Sequence, residues 1–331
     1  MLEEKFDVIV VGSATRDVLV TAKGFEVRQH SDSPTGEEQC FPLGSKIELE
    51  DIVMTTGGGG TNVAVTFVRQ GLKTACIGVI GNDVVGDEIV TELAGEGIDT
   101  NFFQKHSDDY TAYSMILVHP SGERTILSYK GEGQHFNAKK IPFNDLKAKW
   151  FFLDSLGGHY DLLESLVNHA VKNDIKIATN PGSRELAHGL EKLVPILIHA
   201  DIFICNQEEG AQLVGVDFKD GDSVLSKLRE RVKGMVLVTN GHAGVRARDT
   251  AGFEYSAGVP DSPVVERTGA GDAFGSGFVT EFIRSGLIEK AIKFGTANAS
   301  SVVTKFGAKA GILKKGEWGE WPLVEVVKKK V

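Results

Sequence analysis

The chain has 331 residues, 41% of them hydrophobic, and its 36 Lys plus Arg against 45 Asp plus Glu leave a formal charge of −9. That length accommodates one large α/β domain or two smaller ones with a sizeable core, and the acidic balance disfavours nonspecific binding to nucleic acid or anionic membrane. No apolar run approaches membrane-spanning length, and Met1 to Asp7 is acidic where a signal peptide would be basic and then apolar, so a cytoplasmic protein is expected.

The first strand signal is the β-branched run Val8 to Val11, closed by Gly12, with Asp17 six residues beyond it. Thr21 to Asp51 is too long for an ordinary connection and is rich in charged and turn residues, Lys23, Glu26, Arg28, Asp32 and Pro34 among them, which predicts a lid or a disordered insertion. Gly57-Gly58-Gly59-Gly60-Thr61-Asn62 then forms a flexible backbone cradle opening a helix over 62–70, a turn able to approach a polar ligand closely. A strand over 75–80 and a helix over 86–94 follow. Tyr110 to Val118 and Arg124 to Tyr129 flank the turn His119-Pro120-Ser121-Gly122-Glu123 and predict a small accessory sheet, to which 16–20 and 47–54 add strands.

Strand and helix signals then alternate at 150–153, 162–171, 175–178, 186–197, 202–205, 224–232 and 235–238, which implies a parallel sheet covered on both faces. Asn206-Gln207-Glu208-Glu209 follows one strand directly, at the carboxyl end where open α/β sheets bind ligands. A carboxylate there can hold Mg²⁺ through water, and Asn206 can equally be a helix cap. Thr239-Asn240-Gly241-His242-Ala243-Gly244 is a second glycine turn at a strand end, able to meet a nucleotide's phosphates or ribose or to be a plain hairpin turn. In Glu266-Arg267-Thr268-Gly269-Ala270-Gly271-Asp272-Ala273-Phe274, a glycine-flanked turn leads into a helix on which Phe274, Phe278 and Phe282 share a face. Its first-turn amides and dipole suit a phosphoryl oxyanion, and Asp272 is placed to deprotonate an alcohol or, more simply, to cap the helix.

Several classes are disfavoured. The dinucleotide fingerprint fails at Asn62 in the cradle and at Ala14 after Gly12, and no Gly-Lys dipeptide occurs, so the P-loop is absent. The nine histidines lack metal-ligand spacing, and the odd, scattered Cys40, Cys76 and Cys205 read as reduced thiols.

Taken in order, the cradle 57–62 with Gly81-Asn82-Asp83 and Gly86, the Asn206-x-x-Glu209 pair and the 267–274 run resemble the ribokinase (PfkB) family of carbohydrate and nucleoside kinases over nearly the whole chain. The resemblance implies one ribokinase-like α/β domain over 1–331: a mostly parallel central sheet with helices on both faces, plus a β lid from about 15–54 and 110–130 on a core of 1–14, 55–109 and 131–331. It implies an ATP- and Mg²⁺-dependent kinase acting on ribose or a related pentose or ketose, with a nucleoside or 2-keto-3-deoxygluconate as alternative acceptor and a catalytically silent sugar- or nucleotide-binding protein as the reading from another class. Asp17, Gly58, Gly59 and Asn62 correspond to acceptor-binding positions, Asp272 to the base, and the backbone of Gly269, Ala270 and Gly271 to the anion hole. Asn206 and Glu209 correspond to the residues that organise Mg²⁺ and the triphosphate, Thr239, Gly241 and Gly244 to the nucleotide loop, and Asn298 to a position near the adenine. The lid, which in many relatives also clasps a dimer, determines the acceptor, and its 21–51 segment offers Phe25, His30 and Phe41. Two positions depart from the pattern. Gly59 stands where a ribokinase usually has lysine, and Glu266-Arg267 replaces Asp-Thr in a stretch that holds potassium in some relatives, so Arg267 is expected to substitute for K⁺.

Overall fold

A computed structural model describes residues 5–32, 36–119 and 122–331. The readings of Met1 to Glu4, of Pro34 and of Pro120-Ser121 lie outside them. Along the first half of the chain run β1 (Phe6–Val11), β2 (Thr15–Thr21), β3 (Glu26–Gln29), β4 (Glu37–Cys40), β5 (Asp51–Gly57), α1 (Gly59–Arg69), β6 (Thr74–Ile77), β7 (Val79–Gly81), α2 (Val84–Gly95), β8 (Gln104–His106), β9 (Tyr113–Val118) and β10 (Arg124–Tyr129). The second half contains β11 (Ala148–Leu153), α3 (Tyr160–Lys172), β12 (Lys176–Thr179), α4 (Ser183–Leu186), α5 (Leu190–Leu197), β13 (Ile202–Asn206), α6 (Gln207–Val214), α7 (Gly221–Arg231), β14 (Met235–Thr239), β15 (Val245–Arg248), β16 (Phe253–Ala257), α8 (Ala270–Ser285), α9 (Ile288–Val302) and β17 (Val327–Lys330).

The larger sheet has the order β17-β16-β15-β14-β13-β12-β11-β1-β6, parallel from β6 to β14 and antiparallel beyond. Because successive strand residues face opposite ways, β1 feeds two cores at once. Ile9 and Val11 join the cluster under α3, α5, α6 and α7, and Val8 and Val10 join the one under α1, α8 and α9. Phe278 is wholly buried in the second cluster, its ring centroid 6.3 Å from Phe274 and 6.0 Å from Phe282, as the four-residue spacing predicts.

Local differences have physical causes. The strand expected over 75–80 breaks at Gly78, where a β-carbon would stand 2.7 Å from the Phe103 ring, and β7 leaves the large sheet to pair with β8. The helix expected over 186–197 is interrupted between α4 and α5. The antiparallel strands β15, β16 and β17 were not expected.

The smaller sheet, β10-β9-β2-β5, uses the four predicted segments, although its last strand spans 51–57 rather than 47–54. Its inner face packs Leu19, Ile116 and Val118 against Phe306, while Ile52, Met54, Met115 and Leu127 stand exposed on the other. Within 21–51 the described residues include the β3–β4 hairpin, so the segment is not wholly irregular. Phe25 and Phe41 pack edge to face with centroids 5.5 Å apart, and His30 pairs with Glu38 at 2.9 Å. No helix among the described residues is long and apolar enough to cross a membrane.

Candidate active site

The parallel strands β1, β11, β13 and β14 end side by side, so Gly12, Asp154, Asn206 and Thr239 lie at one edge of the large sheet, with Asn206 and Thr239 direct register partners. The smaller sheet and the first turns of α1 and α8 enclose a cavity of about 210 Å³ near this edge. Its walls include Asp17, Gly58, Gly59, Asn62, Gly269 and Asp272, so most of the residues predicted to hold and deprotonate an acceptor meet in one place. Ser114, Ile116, Ile126 and Lys130 complete it from β9, β10 and the residue after β10. Phe25, His30 and Phe41 are not among its walls.

Asp17 sits on β2, 5% exposed, and accepts a hydrogen bond from Thr15 Oγ1 at 2.8 Å. Asp272 lies in the first turn of α8 and accepts from Asn62 Nδ2 at 2.8 Å, joining the two signature segments across 210 positions of sequence. Burial raises the Asp272 carboxyl above the ordinary carboxylate range; the Asn62 hydrogen bond and the Lys309 charge oppose this, and the Asp17 charge adds to it.

Gly269 precedes α8 in the left-handed conformation, φ 78°, and a β-carbon there would overlap that of Ala308. Gly271, by contrast, faces open space. The N–H groups of such a first helical turn lack intrahelical partners. Thr268 Oγ1, also at the cavity, is buried without a hydrogen-bond partner among the described residues. Together they fit a polar, anionic occupant.

At the neighbouring strand ends Asn206 and Glu209 form a capping box: Asn206 Oδ1 accepts from Glu209 N at 2.8 Å, and Glu209 Oε2 accepts from Asn206 N at 2.9 Å. The simpler reading of Asn206 as a cap is therefore realised, but Glu209 is not thereby used up. Burial raises its carboxyl, Glu208 and Asp272 reinforcing and the Asn206 hydrogen bonds opposing, and a partly buried carboxylate among other acids is a natural cation ligand. Thr239, Gly241 and Gly244 form the tight turn between antiparallel β14 and β15, tied to α6 by Asn240 Nδ2 donating to Gln207 Oε1 at 3.1 Å. Asn298 is wholly buried, donates to Ala273 O at 2.8 Å and accepts from Leu313 N at 2.9 Å, so its side chain ties the start of α8 to α9 and exposes no atom to a nucleotide.

Arg267 does not take a cation's place beside Glu266. It is half exposed and pairs with Glu123 near the tip of β9–β10 at 3.0 Å, while buried Glu266 accepts from Thr268 N at 2.7 Å and Gly307 N at 3.1 Å. Gly59 has its own cause, since a β-carbon there would collide with Asp154 Oδ2.

Asp154 was missed in the sequence although it follows β11 directly, the placement that singled out Asn206. Burial raises its carboxyl well above the usual range, and the Asp272 charge adds to this. Lys309 was missed too; its one signal is a lone charge within Gly307-Ala308-Lys309-Ala310-Gly311.

Comparison with known proteins identifies the family. The family model described as pfkB family carbohydrate kinase matches residues 6–315. The chain is 29% identical to a ribokinase of Haemophilus influenzae over 285 residues, covering 83% of this chain and 89% of that protein. It is 24% identical to a nucleoside kinase of Methanothermobacter thermautotrophicus over 274 residues, 79% of this chain and 82% of that one. Its fold matches that of Arabidopsis thaliana ribokinase complexed with ribose and ATP, with a TM-score of 0.74 at 20% identity over 94% of this chain and 96% of that chain.

Proposed function

Because the chain belongs to the pfkB family of carbohydrate kinases, phosphotransferases with an alcohol group as acceptor, we propose that it transfers the γ-phosphoryl group of ATP to a hydroxyl of ribose or a related pentose or ketose, with Asp272 as base. The observation that carries this reading is the convergence of Asp272, Asp17, Asn62 and the start of α8 on one cavity.

In this reading Asp17, Asn62 and the backbone at Gly58 and Gly59 orient the acceptor, and Asp272 takes the proton of the attacking hydroxyl. The Gly269 to Gly271 backbone receives the charge that develops on the phosphoryl oxygens. Asn206 and Glu209 would hold Mg²⁺, Glu209 through water, and the ion supplies neutralisation of the triphosphate charge when bound. The Thr239 to Gly244 turn borders the nucleotide, and Asn298, which exposes no atom to it, braces the start of α8 against α9. The smaller sheet acts as a lid that excludes competing water. Its exposed Ile52, Met54, Met115 and Leu127 suit a second copy of the chain, a homodimer that light scattering on purified protein checks.

A cavity of about 210 Å³ offers room for a monosaccharide. Lys130 at its wall favours one further acceptor, a keto-sugar acid such as 2-keto-3-deoxygluconate, whose carboxylate an ammonium can pair.

The test is ADP release from Mg-ATP across pentoses, hexoses, keto-sugar acids and nucleosides, with and without potassium. Fastest turnover with a neutral pentose or ketose supports the first reading, and a preference for the acid that disappears in Lys130→Met supports the second. Well-folded protein with no acceptor-dependent release would point to a silent binder. Asp272→Asn should keep nucleotide binding and lose about 10²–10⁴-fold in turnover; comparable activity would remove Asp272 from the role of base.

A further inference from the structure

Lys309 lies in the loop after α9, 8% exposed, and has no part in the reaction as described so far. Its ammonium hydrogens meet three acceptors: the Thr56 carbonyl in β5, Thr61 Oγ1 at 2.8 Å and Asn62 Oδ1 at 2.6 Å. Each leads onward. The Thr61 hydroxyl donates to Gly57 O at 2.7 Å, and Asn62 Nδ2 donates to Asp272 Oδ2 at 2.8 Å. We propose that Lys309 is a positioning residue for phosphoryl transfer, fixing the Asn62 side-chain amide in the orientation that donates to Asp272 and so aiming that carboxylate at the acceptor.

The argument is one of donors and acceptors. The two ends of an asparagine amide have nearly the same shape, and a half-turn exchanges them. An ammonium has hydrogens to give and no lone pair, so the end facing Lys309 must be oxygen. The end facing Asp272 must then be NH₂. Without the ammonium, a flipped amide would present its oxygen to the carboxylate, lone pair against lone pair, and Asp272 would lose the hydrogen bond it accepts from Asn62. The inference rests on Asp272 being the base.

The ammonium also sits among acids of this site. Asp17 from β2, Asp272 from α8, Glu92 and Glu96 from α2 and Cys76 from β6 surround it, and Arg69 of α1 donates to its backbone carbonyl at 2.7 Å. Burial pushes the lysine down to about 8 from its ordinary 10.5, the surrounding Asp17, Asp272 and Glu92 opposing the fall, and burial pushes the Cys76 thiol up to about 12, where it stays neutral. Deprotonation leaves two N–H groups for three acceptors and adds a lone pair able to receive the amide's NH₂, so the orientation is obligatory at neutral pH and loses its enforcement on the alkaline side.

The experiment measures kcat from pH 6.5 to 9.5 for the wild type, Lys309→Met, Lys309→Gln and Asp272→Asn, using the panel acceptor that gives the fastest ADP release, with urea unfolding at each pH. Wild-type kcat should fall along a limb centred near pH 8. Lys309→Met should lower kcat at pH 7 about 100-fold, the cost of a misplaced reacting group, with the acceptor KM little changed. Lys309→Gln keeps an N–H donor and has no proton to lose, so it should recover most of that kcat and show no limb.

Stability separates this role from a structural one. Between about pH 8 and 10.5 the folded protein binds fewer protons at Lys309 than the unfolded chain, so its contribution to stability rises with pH while kcat falls. Wild-type kcat in Lys309→Met, or a limb near pH 8 that survives in Lys309→Gln, overturns the proposal. Should the Met variant not fold, the Gln variant and the wild-type profile decide. Turnover retained in Asp272→Asn would sink the base assignment itself, whereas its loss beside an unaffected Lys309→Met would sink the present inference alone.

Discussion

Two glycines two residues apart are expected to respond oppositely to alanine. At Gly269 the backbone sits at φ 78°, which costs an L-residue about 1–2 kcal/mol. The new methyl would also overlap the Ala308 β-carbon and stand 2.9 Å from its α-carbon, an overpacking that costs about 1–3 kcal/mol more. Gly269→Ala should therefore destabilise the fold by about 2–5 kcal/mol. Gly271 has helical backbone and nothing within 4 Å of an added β-carbon, so Gly271→Ala should leave stability unchanged or raise it by up to about 1 kcal/mol. Its methyl enters the space proposed for the phosphoryl group, and kcat/KM should fall about 100-fold, as for a displacement near 1 Å. Urea denaturation followed by circular dichroism and the ADP-release assay separate the two effects. A wild-type urea midpoint for Gly269→Ala would refute the steric argument, and wild-type kcat/KM for Gly271→Ala would refute the placement of the phosphoryl group.

Three further outcomes are expected. Phe278→Ala, deep under α8, should cost about 3–5 kcal/mol in urea unfolding. Arg267→Ala breaks an exposed pair, so stability should change by less than about 1 kcal/mol, and any effect on acceptor KM should vanish in 1 M salt, where screening acts within about 3 Å. Burial would raise Glu254, but hydrogen bonds from Arg246, Lys329 and Arg248 hold it at about 2, below the ordinary 4.5. Its stabilisation is complete above pH 4.5 and is lost as pH falls toward 2, so Glu254→Gln should flatten the acid side of a stability profile followed by urea midpoints.

The buried parallel strands were legible because a strand covered on both faces must be apolar throughout, as Val8 to Val11 is. The cradle and the Asp272 turn were legible because glycine next to a helix start has few uses. The edge strands were not. Lys328, Lys329 and Lys330 of β17 carry no apolar alternation, and their place comes from Glu254 and the backbone of β16. Lys309 was hidden for a different reason: a lone lysine in a loop is normally solvated, and its burial follows from where the loop returns in three dimensions. Arg267 was read as a local substitute for an ion, yet its partner Glu123 comes from a turn some 140 positions away in the chain, a pairing that spacing cannot reveal.

The direct passage from β5 into α1 has a consequence for engineering. A β-carbon at Gly57 would collide with the Asp17 carboxylate, and Thr56 is held by Lys309 and by Glu92. Asp17, the cradle and the lysine network thus form one welded part that tolerates little editing. Ser114, Ile116 and Ile126 reach the same cavity from β9 and β10, and a library aimed at a new acceptor belongs there.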